Sequence, residues 1–402
     1  MMACATAGRD NRERQDHGEC HGASLHAASV PAPHQICALQ PVRIFTACRV
    51  ASPASSSLAA IRPTAVRTAL VAATLVAAAT ISACGGAGQT ASRTTASSHS
   101  ASARRRAATT AARHAATPVR LRYQALYTLP APLRDPAYAA LGGDRFIMLG
   151  GLDSADVSAA GIEVADRHGV LHTAALPGPQ HDAQAALLGG KVYVFGGGST
   201  TELDHILMYD PVGGAESTAG SLSVPQSDVA VTQVGGTAYV VGGFDGTNWL
   251  NTIVAWRPGT RPTVVGHLPQ GLRYAAVAVA GNDLLVLGGV SPAGTSDAIY
   301  RFDLATRRLT RIGTLPHPIE HGNAATLGST VYLVGGRGPS DTDQTSAVYA
   351  VNPVTGHVRS AGRLPKPTSD AAVMTLGNGI VVAGGQSPTG TLADVGELVP
   401  AG

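Results

Sequence analysis

From about residue 119 onwards, short apolar runs alternate with glycine-rich turns at a nearly constant period. One apolar run of each unit ends in a pair of glycines, and successive pairs are separated by 46, 46, 46, 47 and 49 residues. The six pairs are Gly150-Gly151, Gly196-Gly197, Gly242-Gly243, Gly288-Gly289, Gly335-Gly336 and Gly384-Gly385. A self-similar period of this length is typical of propellers and solenoids.

Each unit has the same internal order, which is clearest in the second unit. Residues 182–188 form one apolar run, Gly189-Gly190 a two-residue turn, and residues 191–195 a second run that ends at the diglycine. Such a glycine turn favours a tight β-hairpin. A third run, residues 206–209, and a fourth that leads to a Leu-Pro corner complete the unit. Four strands per unit correspond to one blade, so the sequence predicts an all-β, six-bladed β-propeller.

This repeat resembles that of the Kelch family, whose blades carry a diglycine after the second strand and a Tyr shortly before it. Tyr193, Tyr239 and Tyr332 match that Tyr. The resemblance covers residues 119–402 and implies a Kelch-type propeller. The Trp that commonly opens the fourth Kelch strand is missing from most units, and Trp249 and Trp256 are not at that point.

The ends of the repeat predict how the ring closes. After Gly384-Gly385 the chain has room for one more strand, near residues 394–399, so the sixth blade lacks its outermost strand. Residues 120–128 precede the first Leu-Pro corner and have no earlier blade to join. We expect this N-terminal strand to complete the last blade and hide two sheet edges.

Charge and cysteine are unevenly distributed along the chain. Residues 1–118 contain 12 Lys and Arg and 4 Asp and Glu, a net +8, whereas residues 119–402 contain 17 and 22, a net −5. Because nucleic-acid binding needs clustered cations, the acidic body is not expected to bind nucleic acid. All five cysteines lie at or before Cys84, which excludes disulfides, thiol nucleophiles and thiolate metal sites from the body.

The basic N-terminal region resembles an export signal. Arg62 and Arg67 precede an apolar run, residues 69–79, that leads to Ile81-Ser82-Ala83-Cys84. A basic flank before a short apolar core is typical of a secretory signal. The last four residues resemble the lipobox of bacterial lipoproteins, which implies that Cys84 carries lipid. The alternative is an uncleaved signal anchor. Both interpretations place the body at the cell membrane, facing outside the cytoplasm.

Four segments follow from this division. Residues 1–61 have no sustained hydrophobic period and are expected to be an unstructured extension or an over-extended gene start. Residues 62–84 are the lipoprotein-like signal segment. Residues 85–118, mostly Ala, Ser, Thr and Arg, are predicted to be a disordered tether. Residues 119–402 are predicted to form the propeller.

Candidate site residues come from the loops that surround a propeller's channel, where ligands usually bind. The positions 15 and 14 residues before each diglycine are Asp135-Pro136, His181-Asp182, Ser227-Asp228, Arg273-Tyr274, Glu320-His321 and Ser369-Asp370. The residues after it include Asp153, Asp245 and Arg337. The predicted ligand-binding residues are Asp182, Asp228, Arg273, Tyr274, His321, Arg337 and Asp370. They suit a polar, cationic or sugar-like ligand; alternatively, the repeated Asp and Ser side chains cap strand ends and turns.

Enzymatic chemistry is only partly excluded. A copper radical oxidase of the galactose-oxidase type, also built on Kelch blades, needs a Cys joined to a Tyr, and no Cys follows Cys84. A sugar epimerase or mutarotase, known among bacterial Kelch propellers, would use residue types such as Glu320, His321 and Arg273. The chain has no G-x-S-x-G, H-E-x-x-H or EF-hand motif. Neither a cofactor nor a metal is predicted, and the neighbouring Asp341 and Asp343 are interpreted as solvated.

We therefore predict a membrane-tethered, monomeric binding or scaffold module that recognises a protein, peptide or glycan at the channel mouth. The alternative is a carbohydrate epimerase or mutarotase that acts in the channel. A wall-associated structural protein is a third hypothesis.

Overall fold

A computed structural model describes residues 118–402 of the chain. Within this range there are 28 strands and no helix, hence none that is long and apolar enough to cross a membrane. The predicted signal segment, Cys84 and the predicted tether up to residue 117 lie outside the described residues.

The strands form six four-stranded antiparallel sheets, one for each predicted blade. The first strand, β1 (Leu121–Thr128), precedes the first blade. Blade 1 consists of β2 (Ala137–Gly142), β3 (Arg145–Leu149), β4 (Gly161–Ala165) and β5 (Val170–Ala175). Blade 2 consists of β6 (Gln184–Leu188), β7 (Lys191–Phe195), β8 (His205–Tyr209) and β9 (Glu216–Ser221). Blade 3 consists of β10 (Ala230–Val234), β11 (Thr237–Val241), β12 (Thr252–Trp256) and β13 (Thr263–His267).

The remaining blades follow the same order, and two short hairpins project from them. Blade 4 contains β14 (Ala276–Ala280), β15 (Asp283–Leu287), the hairpin β16 (Val290–Ser291) and β17 (Gly294–Thr295), β18 (Ala298–Asp303) and β19 (Arg308–Thr314). Blade 5 contains β20 (Asn323–Leu327), β21 (Thr330–Val334), β22 (Ala347–Val351) and β23 (Val358–Arg363). Blade 6 contains β24 (Ala372–Leu376), β25 (Gly379–Ala383), the hairpin β26 (Gln386–Ser387) and β27 (Gly390–Thr391), and β28 (Asp394–Pro400).

The N-terminal strand closes the ring, as the sequence predicts. The sheet order of blade 6 is β1-β28-β25-β24, so β1 is its outermost strand. It pairs antiparallel with β28 from Leu121 opposite Pro400 to Thr128 opposite Asp394, with an irregularity between Ala125 and Tyr127. The edge that β28 would otherwise expose is therefore covered.

The diglycines join neighbouring blades. The amide of Gly336 donates to the carbonyl oxygen of Thr368 at 2.9 Å, and the equivalent glycine of every other blade makes the same bond to the next blade. A Cβ on Gly335 would overlap that same carbonyl oxygen, and the φ of Gly335 is 60°. Close backbone approach and left-handed backbone conformation both require glycine here, which explains why the pair recurs in every unit.

The core lies between the blades. Six clusters of buried apolar residues occur in the described chain, one at each interface between neighbouring sheets. The interface of blades 2 and 3 contains Trp256, whose ring lies edge-on to Tyr193 and Phe195 with centroids 5.0 and 5.4 Å away. Cysteine-free packing of this kind holds the ring together.

The ring has two faces. At the mouth face lie the connections that enter each inner strand and the loops that follow each diglycine. At the opposite face lie the turns between the first and second strands and the loops between the third and outer strands. Since Thr128 leads into the connection to blade 1, β1 ends at the mouth face and begins, near Pro118, at the opposite face.

Candidate functional site

A ring of six residues, one from each blade, surrounds the channel just before the inner strands. All six have left-handed backbone conformation, with φ between 50° and 59°: Asp135, Asp182, Asp228, Tyr274, His321 and Asp370. Five amide-to-carbonyl hydrogen bonds of 2.9 to 3.2 Å connect successive members, including the bond from Asp135 to Asp370 that joins the first blade to the last. Left-handed conformation is unfavourable for a bulky side chain such as that of Tyr274, and it is tolerated where surrounding contacts enforce it.

These six side chains narrow the channel. They line a cavity of only about 40 Å³, which we call the waist. Beyond the waist, the channel widens to about 430 Å³ among the small and apolar side chains of the inner strands, such as Ala140 and Val279. The waist has room for roughly one or two water molecules, so it divides the channel into two chambers.

Tyr274 and His321 are the aromatic members of the ring, and each contacts a carboxylate. Their rings stack with centroids 3.7 Å apart and an interplanar angle of 21°. Nδ1 of His321 is hydrogen-bonded to Asp370, which also accepts a hydrogen bond of 2.5 Å from the Ser369 hydroxyl. The Tyr274 hydroxyl donates to Asp182 at 3.3 Å. The orientation of both rings is thereby fixed.

The waist carboxyls differ in acidity. Burial, followed by repulsion from Asp370, raises the pKa of Asp135 well above its usual value. Burial and the neighbouring Asp228 likewise raise the pKa of Asp182. Burial also acts to raise the pKa of Asp370, but His321 and the hydrogen bonds from His321 and Ser369 outweigh it and lower that pKa to about 2. Burial therefore makes Asp135 and Asp182 weaker acids than usual, whereas its hydrogen-bond partners make Asp370 a stronger one.

Above the waist, a wider pocket opens at the mouth face. We call it the mouth pocket; its volume is about 430 Å³. It is lined by Arg134, Asp135, Leu152, Asp182, Arg273, Tyr274, Val290, Glu320, His321 and Arg337. The pocket lies over the ring, and the waist forms its floor.

Glu320 and His321 form the chemically most versatile part of the mouth pocket. Glu320 is 5% exposed, and its Oε2 accepts a hydrogen bond of 2.8 Å from the Thr295 hydroxyl. An amino group of Arg337 lies 3.0 Å from Nε2 of His321 and 3.6 Å from Oε1 of Glu320. Because a guanidinium only donates, Nε2 is the accepting nitrogen and Nδ1 carries the proton toward Asp370.

The three arginines of the mouth pocket are all paired with carboxylates. Arg273 is hydrogen-bonded to Asp228 through Nε, and Arg337 contacts both Glu320 and Asp341. Arg134 lies 3.2 Å from Asp135 and 2.6 Å from Asp156. Arg273 is also held over aromatic rings, with its guanidinium carbon 4.6 Å from the Phe244 ring centroid and 5.0 Å from that of Trp249. The charge of the pocket is therefore nearly balanced.

The structure brings most of the predicted site residues together. The mouth pocket contains Asp182, Arg273, Tyr274, Glu320, His321 and Arg337, whereas Asp228 and Asp370 line the waist. The capping alternative applies to two loop residues. Asp153 accepts hydrogen bonds from the amides of Ala155 and Val157, and Asp245 from those of Thr247 and Asn248.

One predicted pair is out of register by one residue. The spacing from the diglycine predicts the pair Asp135-Pro136, but the structurally equivalent pair in blade 1 is Arg134-Asp135. The strand pairing of β2 and β3 is irregular between Ala140 and Gly142, where one extra residue is accommodated. The spacing therefore does not predict Arg134 as a pocket residue. The ring residue Asp135 lies 15 residues before Gly150, one more than in the other units, and this difference is the sequence signal for the extra residue.

Three waist side chains have a geometry that could hold a metal ion. Ligand atoms of Asp135, His321 and Asp370 lie within 4.8 Å of one another. A metal bound through Nδ1 of His321 would have to replace the hydrogen bond between His321 and Asp370. The three residues come from blades 1, 5 and 6, so no local sequence motif indicates this site.

Comparison with known proteins agrees with this architecture. Residues 137–336 match the family described as the KLHDC2/KLHL20/DRC7 Kelch-repeats domain. The chain carries a six-bladed Kelch-repeat β-propeller. This Kelch propeller is similar to the solved structure described as that of YjhT, with a TM-score of 0.59 and 18% identity, covering 67% of this chain and 95% of that chain. At this identity the similarity concerns the fold alone. No curated protein matches the chain in sequence.

Proposed function

We propose that this Kelch propeller is a binding module whose mouth pocket takes one end of a polar partner, a glycan or a peptide or protein segment, outside the cytoplasm. The observation that carries the proposal is a pocket of about 430 Å³ that opens at the mouth face over a waist of about 40 Å³. Small-ligand pockets usually have volumes from roughly 300 Å³ upwards. A sugar ring or a chain end fits this space, and the waist prevents a chain from passing through.

The polar groups of the pocket favour a neutral ligand that forms many hydrogen bonds. Arg134, Arg273 and Arg337 already have carboxylate partners, so a ligand charge would compete with existing ion pairs. The hydroxyl or amide groups of a neutral ligand can instead form hydrogen bonds with the donors and acceptors of the pocket that the ion pairs leave available. Because the side chains are held in position before binding, less conformational entropy is lost.

Binding is tested by probing glycan and peptide arrays with the full-length chain and measuring affinity for the hits by calorimetry. Val290 lines the pocket, and Val290→Trp fills it without removing a charge. We expect this variant to weaken binding about tenfold or more. Val264→Trp is the control, because Val264 lies on the outer strand β13 and is 45% exposed. Undiminished binding by Val290→Trp, or by Glu320→Gln if the first variant unfolds, would overturn the proposal.

The membrane location is supported by the sequence alone, through the basic flank, the apolar run and Cys84. Mass spectrometry of the membrane fraction provides the test. We expect a mature N-terminus at Cys84 that carries lipid. Detection of peptides from residues 1–60 in the mature protein would contradict this part of the proposal.

A second candidate function is a carbohydrate mutarotase or epimerase. It is favoured by one observation: Glu320, His321 and Arg273 line the same sugar-sized pocket. Oε1 of Glu320 and Nε2 of His321 lie 3.9 Å apart, on one side of the pocket. Mutarotation moves protons at two oxygens bonded to the same carbon, which neighbouring acid and base groups can serve together. Epimerisation at a C–H bond needs groups on both faces of the sugar, so this geometry favours mutarotation.

The enzyme hypothesis is tested by NMR exchange spectroscopy between the anomers of a panel of monosaccharides. Acceleration by the full-length chain that is lost in both Glu320→Gln and His321→Asn would support it. Binding of a reducing sugar without accelerated anomer exchange would leave the binding module as the function and exclude the mutarotase.

A further inference from the structure

A second pocket of similar size lies at the opposite face, between blades 3 and 4. Its volume is about 420 Å³. Three arginines line it: Arg257 and Arg261 from the loop between β12 and β13, and Arg307 from the loop between β18 and β19. The apolar wall includes Trp256 and Phe302, each 1% exposed. We call this the basic pocket.

The basic pocket differs from the mouth pocket in the pairing of its arginines. No Asp or Glu is among the residues that line it. In residues 118–402, no carboxylate lies within ion-pair distance of Arg257, Arg261 or Arg307, whereas all three arginines of the mouth pocket are paired. Arg257, Arg261 and Arg307 are exposed and line one pocket, so their like charges repel one another, and an anion bound among them would relieve that repulsion.

Hydrogen bonds hold the Arg257 side chain and its backbone turn in position. Its Nε donates a hydrogen bond of 2.6 Å to the hydroxyl of Thr237, which is 4% exposed. The Thr260 hydroxyl accepts from the Arg257 amide and donates to its carbonyl oxygen, which fixes the backbone turn. Among the described residues, the two amino groups of this guanidinium have no acceptor. They are the groups that bind oxyanions in bidentate fashion.

Arg307 provides an independent indication, because it occupies a position where other blades have glycine. Its amide donates to Asp303, four residues earlier, as Gly214 does to Asp210 and Gly356 to Asn352. The φ values are 56° for Arg307, 71° for Gly214 and 68° for Gly356. A side chain is strained in this conformation, and glycine is not. Blade 4 thus keeps an arginine at the pocket where glycine would make a more stable loop.

We propose that the basic pocket binds a phosphate group. Three guanidiniums suit an anion with several oxygens arranged around one centre better than a single carboxylate, which one guanidinium satisfies. The phosphate can belong to a soluble ester or to a lipid headgroup. The basic pocket lies at the face where the described chain begins and where the segment from the predicted anchor joins the propeller. This position is compatible with both sources of phosphate.

The test compares three forms of the full-length chain: wild type, Arg307→Gly and Arg308→Gln. Arg308 is the exposed neighbour of Arg307 and does not line the pocket. Calorimetric titration with inorganic phosphate at constant ionic strength should show saturable binding by wild type and Arg308→Gln, and binding about tenfold weaker by Arg307→Gly. Arg307→Gly should unfold at the same or a higher urea concentration than wild type, so its loss of binding cannot come from unfolding.

A vesicle arm distinguishes the two sources of phosphate. Arg307-dependent sedimentation with phosphatidylglycerol vesicles, but not with phosphatidylcholine vesicles, would support the proposal with a lipid headgroup as the ligand. Arg307-dependent binding of inorganic phosphate without vesicle binding would support it with a soluble ester. Equal behaviour of Arg307→Gly and wild type in both arms, or an equal loss in Arg308→Gln, would overturn the proposal. Array binding at the mouth pocket should be unchanged in Arg307→Gly.

Discussion

The amide of Gly385 donates a hydrogen bond to the carbonyl oxygen of Leu133, 2.8 Å away. Gly385 follows the second strand of blade 6, and Leu133 lies in the connection that enters blade 1. The contact between the last and the first repeat is therefore the same diglycine contact that joins all other neighbours. Ring closure thus relies on this hydrogen bond, on the bond from Asp135 to Asp370 and on the pairing of β1 with β28.

The diglycine contact predicts a large difference between two glycines of blade 5. Gly335 and Gly328 have φ values of 60° and 62°, but a Cβ on Gly335 would overlap the carbonyl oxygen of Thr368, whereas a Cβ on Gly328 would have nothing within 4 Å. Gly328→Ala should cost about 1 kcal/mol for the left-handed backbone. Gly335→Ala should cost roughly 1–3 kcal/mol more for the overlap. Urea unfolding measures both, and equal losses would contradict the account of the diglycine.

Closure by the N-terminal strand predicts that Leu121 contributes to the stability of the whole propeller. Leu121 is 5% exposed and packs between blades 5 and 6, whereas Leu171 on the outer strand of blade 1 is 55% exposed. Leu121→Ala should lower the free energy of unfolding by about 2–5 kcal/mol. Leu171→Ala, the control, should change it by less than about 0.5 kcal/mol. Similar values for the two variants would mean that β1 is not an integral part of the ring.

The raised pKa of Asp182 predicts a pH-dependent effect of Asp182→Asn. A raised pKa means that the folded state binds the proton more tightly, so this group stabilises the fold at low pH and the contribution is lost as pH rises from about 4 through the folded-state pKa. Asp182→Asn, which keeps an acceptor for Tyr274, should therefore exceed wild type in unfolding free energy by at least about 1 kcal/mol above neutral pH. Below about pH 4 the advantage should vanish.

Urea denaturation from pH 4 to pH 8 measures this dependence. The exposed Asp204 is away from the channel, and Asp204→Asn serves as the control. An advantage of Asp182→Asn that stays constant over the whole pH range would show that it does not arise from titration of this carboxyl.

Asp370 should behave in the opposite way, because its pKa is lowered to about 2. Its stabilising charge is present above the unfolded-state pKa and is lost as pH falls toward 2. Asp370→Asn removes the negative charge that accepts the hydrogen bonds from His321 and Ser369 and should cost about 2–3 kcal/mol at neutral pH. Ser369→Ala removes only one hydrogen bond to Asp370 and should cost about 1 kcal/mol. Denaturation curves at neutral pH test the order of these two effects.

The fold could be predicted from the sequence because the physical requirement behind it is local and repeated. Every blade needs glycine where its backbone approaches the next blade, so Gly335 and its equivalents leave a visible period. The strand before the first repeat and the missing strand after the last one likewise predicted closure by β1. Both inferences depend on backbone geometry, which the repeat imposes on all six units.

The site was harder to predict because its contacts cross between blades. Counting along the chain found His321 and Asp370, but their hydrogen bond joins residues 49 positions apart. Arg134 was missed because one extra residue near Ala140 shifts the count. The basic pocket was not predicted, because the loops that carry Arg257 and Arg307 differ in sequence from blade to blade.

The pairing of Leu121 with Pro400 also bears on how the protein is made. These residues are 279 positions apart, so the first strand of the propeller to leave the ribosome is the one that waits longest for its partner. Until β28 has been synthesised, β1 lacks its partner, and unpaired strands are the surfaces through which incomplete β-proteins aggregate. Contacts of such long sequence separation also fold slowly. A chain that lacks β28 should therefore misassemble during its synthesis.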